Sequence, residues 1–319
     1  MTMTETTRRG VLLAGAGLLA APALAQAQAG TDIAIVGFQM SSETHARAAN
    51  AAATAARAKG WTATVLNSEG ALPRHAEQLD TLIQRRPKAI IVAMGKPVEA
   101  EAQFQRAKAA GIPIITIMAG ASPHTVFDIQ VNEYKVGADA ALWLLGELGY
   151  QGNILTQRFE GNVGTRIRGK VLDAVLSENT GVRVLATHTM ARTASWRDDV
   201  RQGFSGLLLR HAANTQGIWA SFDGQAFVID DLLQARGVKK GQVKFVSIDG
   251  GAETYRRIAD PESTLMATVT IPFEEMGNKA VEAVDRIVLK GEPKGAMASG
   301  PYLFLDSVLV DGNNVQRFL

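Results

Sequence analysis

The chain has 319 residues, nearly half of them apolar and a fifth charged, enough for a sizeable core and for two domains. Its 33 basic and 31 acidic residues give a formal charge of +2 with no basic tract, so the electrostatic footprint of a nucleic-acid binder is missing. There is no cysteine, and the five histidines, His45, His75, His124, His188 and His211, are scattered; disulfides, thiolate chemistry and zinc sites of HExxH spacing are excluded, and no metal or cofactor is expected.

Taken in order, the chain starts with "TTRRGVLLAGAGLLAAPALAQAQA", which places Arg8 and Arg9 before an apolar run and A-x-A sites ending at Ala25, Ala27 or Ala29. That is a secretory signal over residues 1–29, with twin-arginine and general secretory routes both open. It is too short for a strong membrane span, and no later segment approaches ~20 continuous apolar residues. The embedded "GAGLLA" matches a dinucleotide fingerprint, but no strand precedes it and it is discarded.

From Thr31, β-branched runs alternate with alanine-rich helical stretches. "DIAIVGF", "WTATVLN", "KAIIVAM" and "IPIITIM" read as strands, separated by helices in "THARAANAAATAARAK", "PRHAEQLDTLIQRR" and "PVEAEAQFQRAKAA". "TVFDIQV" adds another strand and the pattern restarts with a helix from about Glu133. The strands "GNILTQ", "VRVLATH", "GIWASF", "VKFVSID" and "TLMATVT" follow with helices between them, then a helix from Pro272 and "PYLFLDSVLV". Strand and helix alternation of this length implies parallel βαβ units, so the expectation is an α/β fold of two doubly wound parallel-sheet lobes. Periodicity alone does not assign the final helix and strand to either lobe.

The mature chain resembles the periplasmic sugar-binding proteins of the ribose-binding type over nearly all its length. The matching phrases are "IAIVGFQMSSETH", "AKAAGIPIITI", "TRIRGKVLDAVL", "GIWASFDGQAFVIDDLLQARG", "VKFVSIDGGAET" and "TLMATVTIPFEEMGNKAVEAVDRIVLKGE". The resemblance implies two lobes joined by a three-crossover hinge, a small sugar or polyol held in the cleft, and delivery of the closed, monomeric form to an ABC transporter permease. By the same analogy the hinges fall near Val131-Asn132, Thr270-Ile271 and Ser299-Gly300. That gives an N-terminal lobe of 30–131 plus 271–299 and a C-terminal lobe of 132–270 plus 300–319. DNA-binding repressors share the fold, but the signal takes the place of their helix-turn-helix. A periplasmic sensor serving a chemoreceptor or kinase is the alternative reading.

The candidate site residues are Phe38, Ser42, Thr44, His45, Met118, Arg166, Trp196, Phe222, Asp223, Asp249 and Thr270. Asp249 in "SIDGG" ends a strand before two glycines that let backbone approach a ligand, and its carboxylate can accept up to four hydrogen bonds. Helix capping is its alternative role, and for Asp223 in "SFDGQ" capping is at least as good a reading. Arg166 in "GTRIRGK" matches the family's cleft arginine, while Arg168, two residues on, is expected on a solvated helical face. The same segment misses a phosphate loop because Val171 stands where Ser or Thr is required. Trp196 falls where the family stacks an aromatic on sugar, and Phe222 where it has an amide. Thr270 closes the set at the second hinge.

The first lobe departs from the family, which typically has an Asp-Arg pair after the fourth strand; this chain has Met118 and Ala119. Apolar walls penalise hydroxyls that they cannot satisfy. The ligand is therefore expected to present hydroxyls to Asp249, Arg166 and Trp196 and a less hydroxylated end to Met118 and Phe38, unless Met118 lies one layer below the cleft. No G-x-S-x-G, metal spacing or phosphate loop supports an enzyme.

Overall fold

The computed structural model describes residues 30–319, and the expected secretory signal lies outside the described residues. The first part runs β1 (Asp32–Gly37), α1 (Glu43–Ala58), β2 (Thr62–Asn67), α2 (Leu72–Arg85), β3 (Ala89–Ala93), α3 (Pro97–Ala109), β4 (Ile114–Ile117) and β5 (Asp128–Val131). The second runs α4 (Glu133–Glu147), β6 (Gly152–Arg158), α5 (Val163–Glu178), β7 (Val182–Thr189), α6 (Trp196–His211), β8 (Gly217–Ala220), α7 (Asp223–Gln234), β9 (Lys244–Asp249), α8 (Ala252–Ala259) and β10 (Ala267–Thr270). The chain ends with α9 (Phe273–Ala283), β11 (Tyr302–Leu305) and β12 (Val308–Asp311).

These strands form two six-stranded sheets, in the order β11-β5-β4-β3-β1-β2 and β12-β10-β9-β8-β6-β7. The first is parallel throughout, and in the second only β12 is antiparallel. Strands such as β3, "AIIVA", are buried at every position because helices cover both faces. Two doubly wound lobes are therefore as the sequence predicts.

The third crossover is not. Tyr302–Leu305 pairs in parallel with Asp128–Val131 and so belongs to the first sheet, while Val308–Asp311 pairs with Ala267–Thr270 in the second. The passage between lobes lies at Asp306-Ser307, not near Ser299-Gly300, and the segment 300–319 is divided between them. The reason is local: "PYLFLDSVLV" reads as one apolar stretch, and alternation does not tell which sheet edge accepts each half.

Helix α9 returns to the first lobe and packs on α1. The buried face of α1 is made of Ala48, Ala49, Ala52, Ala53 and Ala56, and a side chain at Gly277 would come within 2.5 Å of the Ala48 carbonyl. Small residues on both helices let the backbones meet. One apolar cluster runs from Ile33 and Ile35 through Val131 and Ile271 at the crossovers to Trp219 in the second lobe, so the passages between lobes are packed.

Candidate ligand-binding cleft

In open α/β sheets ligands gather beyond the carboxyl ends of the strands. Here the residues immediately following five strands, Phe38, Met94, Met118, Phe159 and Met190, together with Phe222 two residues past β8, line two adjoining cavities between the lobes. The smaller, of ≈ 110 Å³, and the larger, of ≈ 610 Å³, share Met94, Lys96, Gly161 and Asn162.

The smaller cavity has aromatic walls. Phe222 meets Trp196 and Phe159 edge-on, with ring centroids 5.6 Å and 6.2 Å apart, an arrangement favoured by the ring quadrupoles. Arg197 lies over the outer side of Trp196 at 4.3 Å. Opposite, Phe38 is buried with its ring edge-on to His75 at 5.4 Å. Ser42 and His45 also line this cavity. Burial lowers both His45 and His75 to about 4, so both rings are neutral near pH 7. Thr44 lines neither cavity; its hydroxyl lies 3.3 Å from that of Ser42 in the first turn of α1.

Met118 and Arg166 line the larger cavity, so Met118 does not lie a layer below. Met94 and Met118 both have left-handed backbone, φ 62° and 51°, which is uncommon for methionine. Their amides donate to Ile117 and Ile129 carbonyls, which turns each tip back along the neighbouring strand.

The second lobe contains the charged part. Asp223 and Asp249 follow adjacent strands, but they are partnered very differently. Asp223 accepts from the Ser247 hydroxyl, the Thr268 hydroxyl at 3.0 Å, the Gly250 amide at 2.7 Å and the Thr254 hydroxyl at 2.6 Å. Four donors saturate a carboxylate. This corrects the sequence expectation: Asp223 fastens β9, β10 and α8 together and has no free lone pair for a ligand. Thr270 is also engaged internally, its hydroxyl accepting from the Val308 amide at 3.1 Å, and it lines neither cavity.

Asp249 accepts one hydrogen bond among the described residues, from Arg168 Nη1 at 3.3 Å. Arg168 is 3% exposed and is gripped by Glu133, Nε to Oε2 at 2.6 Å and Nη2 to Oε1 at 3.0 Å, while Nη1 also donates to the Ser221 carbonyl at 2.9 Å. The arginine that joins Asp249 is therefore Arg168, not Arg166. Two residues along a helix place these side chains on opposite faces; Arg166 is half-buried and donates to the Glu160 carbonyl at 2.7 Å. Gly137 makes the buried arrangement possible, since a side chain there would stand 3.0 Å from Arg168 Cα. Asn132 caps α4, accepting from the amides of Tyr134 and Lys135, which sets Glu133 in its first turn.

Burial opposes the charge on Arg168, but Glu133 and Asp249 outweigh it and hold the guanidinium protonated. Burial, with Asp223 and Glu133 nearby, pushes Asp249 up to about 8 against the pull of Arg168 and Arg47. Asp249 is 6% exposed and, like Thr270, lines neither cavity; it has unused acceptor capacity where burial penalises its charge, and further hydrogen-bond donors would relieve it. Among the described residues there is no group of acids and histidines that could hold a metal, and no helix is long and apolar enough to cross a membrane.

Two α/β lobes with an aromatic-walled cleft between the strand tips have the architecture of a solute-binding protein. A family model for the periplasmic binding protein domain matches residues 33–293, and the chain belongs to that family. It is 27% identical over 292 residues to the D-apiose import binding protein of Paraburkholderia graminis, covering 90% of each chain. It is 30% identical over 181 residues to the xylitol-binding protein of Mycolicibacterium smegmatis, 55% of this chain and 49% of that one. An ABC sugar transporter subunit from Rhodobacter sphaeroides superposes with a TM-score of 0.78 at 26% identity, over 89% of this chain and 99% of the other.

Proposed function

We propose that this protein is the monomeric, periplasmic substrate-binding component of an ABC-type importer, taking a small sugar, deoxysugar or polyol into the cleft and presenting its closed form to a membrane permease. The observation that carries the ligand class is the contrast between the two aspartates: Asp223 is saturated by four donors, whereas Asp249 has one. Vicinal hydroxyls supply the missing donors, and Trp196 and Phe222 offer faces to ring C–H groups. Relatives named for D-apiose and xylitol import or binding support a five-carbon scale. Met94 and Met118 add no hydrogen-bonding group, which favours a ligand with one hydroxyl-poor end.

In this reading the moving bodies are residues 30–131 with 272–305 and residues 132–271 with 306–319, closing about the three crossovers. Thermal stability against D-apiose, xylitol, ribose, glucose and their deoxy analogues tests it. A ligand at a hundred times its dissociation constant adds about 2.7 kcal/mol to the native state, so a clear upward shift with at least one member is expected. No shift with any of these sugars or polyols would refute the ligand class.

A further inference from the structure

The turn that follows Asp249 is held from both lobes. Asp249, Gly250 and Gly251 have φ of 138°, 74° and 138°, three successive residues in a region that L side chains rarely adopt. The Gly250 amide donates to Asp223 within the second lobe at 2.7 Å. Its carbonyl accepts from Arg47 Nη1 of α1, in the first lobe, at 2.5 Å. Among the described residues this is the only side-chain hydrogen bond that spans the two lobes.

Arg47 is itself prepared for this contact. Its Nε and Nη2 donate to Glu274 of α9 at 2.6 Å and 2.9 Å, and the guanidinium lies 5.2 Å from the centre of the Phe273 ring. A planar fork fixed on two donors leaves the third aimed in one direction. Gly251 is the matching surface, since a side chain there would come within 2.8 Å of Arg47 Nη1.

We propose that Arg47 is a positioning residue for ligand binding: it latches the lobes together through the Gly250 carbonyl and so sets the Asp249 carboxylate only when the cleft is closed. This rests on the solute-binding reading above. The Asp249 turn then has its final geometry in the closed form alone, and a ligand that needs that geometry favours closure by its differential affinity.

The test uses ligand-free protein and needs no ligand identity. Because the chain has no cysteine, Glu77→Cys and Leu209→Cys provide two label sites, one on each lobe, for pulsed electron-spin distance measurement. Hydrogen exchange of the peptide over 244–259 reads the turn in the same samples. Arg47→Met is expected to lower the closed-to-open ratio about tenfold, the loss of a charge-assisted hydrogen bond, and to speed exchange at 250–252. Glu274→Gln should move both readouts in the same direction by less, and Arg47→Lys should fall between. If Arg47→Met is poorly folded, Glu274→Gln decides, because it leaves the guanidinium in place and frees only its aim. Unchanged distances, or changed distances with an unchanged turn, would overturn the proposal. The sugar panel fails or succeeds separately.

Discussion

Arg168 and Asp249, on α5 and at the end of β9, meet at 3.3 Å inside the second lobe, with Glu133 gripping the far side of the same guanidinium. Removing the cation leaves buried Glu133 without its counter-charge and Asp249 without its one hydrogen-bond donor. Arg168→Met is expected to cost about 3–5 kcal/mol, the usual consequence of breaking a buried ion pair from one side. Arg166→Ala should cost about 1 kcal/mol, since this half-buried arginine loses one hydrogen bond to a backbone carbonyl and leaves no buried charge unpaired. Urea unfolding midpoints of the two variants check the contrast, and equal losses would refute the assignment of Arg168 as the buried partner.

Asp249 has its carboxyl raised from 3.8 to about 8, chiefly by burial. A raised folded-state value means that its contribution to stability is full below the unfolded value and is lost as pH rises toward 8. Asp249→Asn should therefore flatten the decline in melting temperature between pH 4 and pH 8 in ligand-free protein, while abolishing the ligand-induced shift. Asp128, pushed up to about 6 by burial, contributes a separate decline that ends earlier and should persist in the variant.

Met118 occupies left-handed backbone at a strand tip that lines the larger cavity. Asparagine adopts that conformation more readily and adds an amide. Met118→Asn should leave the melting temperature unchanged or raise it slightly, and should shift selectivity in the sugar panel toward fully hydroxylated members. Unchanged rank order among ligands would show that Met118 does not face the bound molecule.

Gly277 is the point of closest approach between α9 and α1, where an added side chain would meet Ala48 O at 2.5 Å and Ala52 N at 2.7 Å. Because both neighbours are backbone, Gly277→Ala should cost at least ~1–3 kcal/mol, the usual range for overpacking, read as a lower chemical-denaturation midpoint. A midpoint equal to the parent's would mean that the helices can separate freely.

The two sheets were legible because helix and strand periods alternate without interruption, and because strands such as β3 are apolar at every position. The placement of β11 was not legible, since Tyr302–Leu305 and Val308–Asp311 have the same pattern and differ only in which edge they join. Asp249 stands out as a polar residue at the tip of an apolar strand and Phe222 as an aromatic just past one, whereas Trp196, at the start of α6, was found through the family resemblance. Arg168 did not stand out, although the Arg-x-Arg spacing with Thr165 and Gly169 buried beside it contained the clue: residues two apart occupy opposite helix faces, and the second arginine shares its face with Gly169 and Leu172. Glu133 and Arg47 carry no local signal at all, because their partners lie 35 and 227 residues away along the chain.

The pairing of α1 with α9 has a consequence for the order of assembly. Arg47 and Glu274 are separated by 227 positions, and β11, the edge strand beside β5, comes later still. The first lobe therefore cannot complete its core or its sheet from the N-terminal portion alone, since α9 and β11 are translated only after the other lobe from α4 to β10. Contacts of such long range close slowly, after the intervening loop entropy has been overcome. The second lobe, contiguous from α4 to β10, is the part able to acquire structure first, and the N-terminal portion waits for the last residues to emerge before it can fold against them.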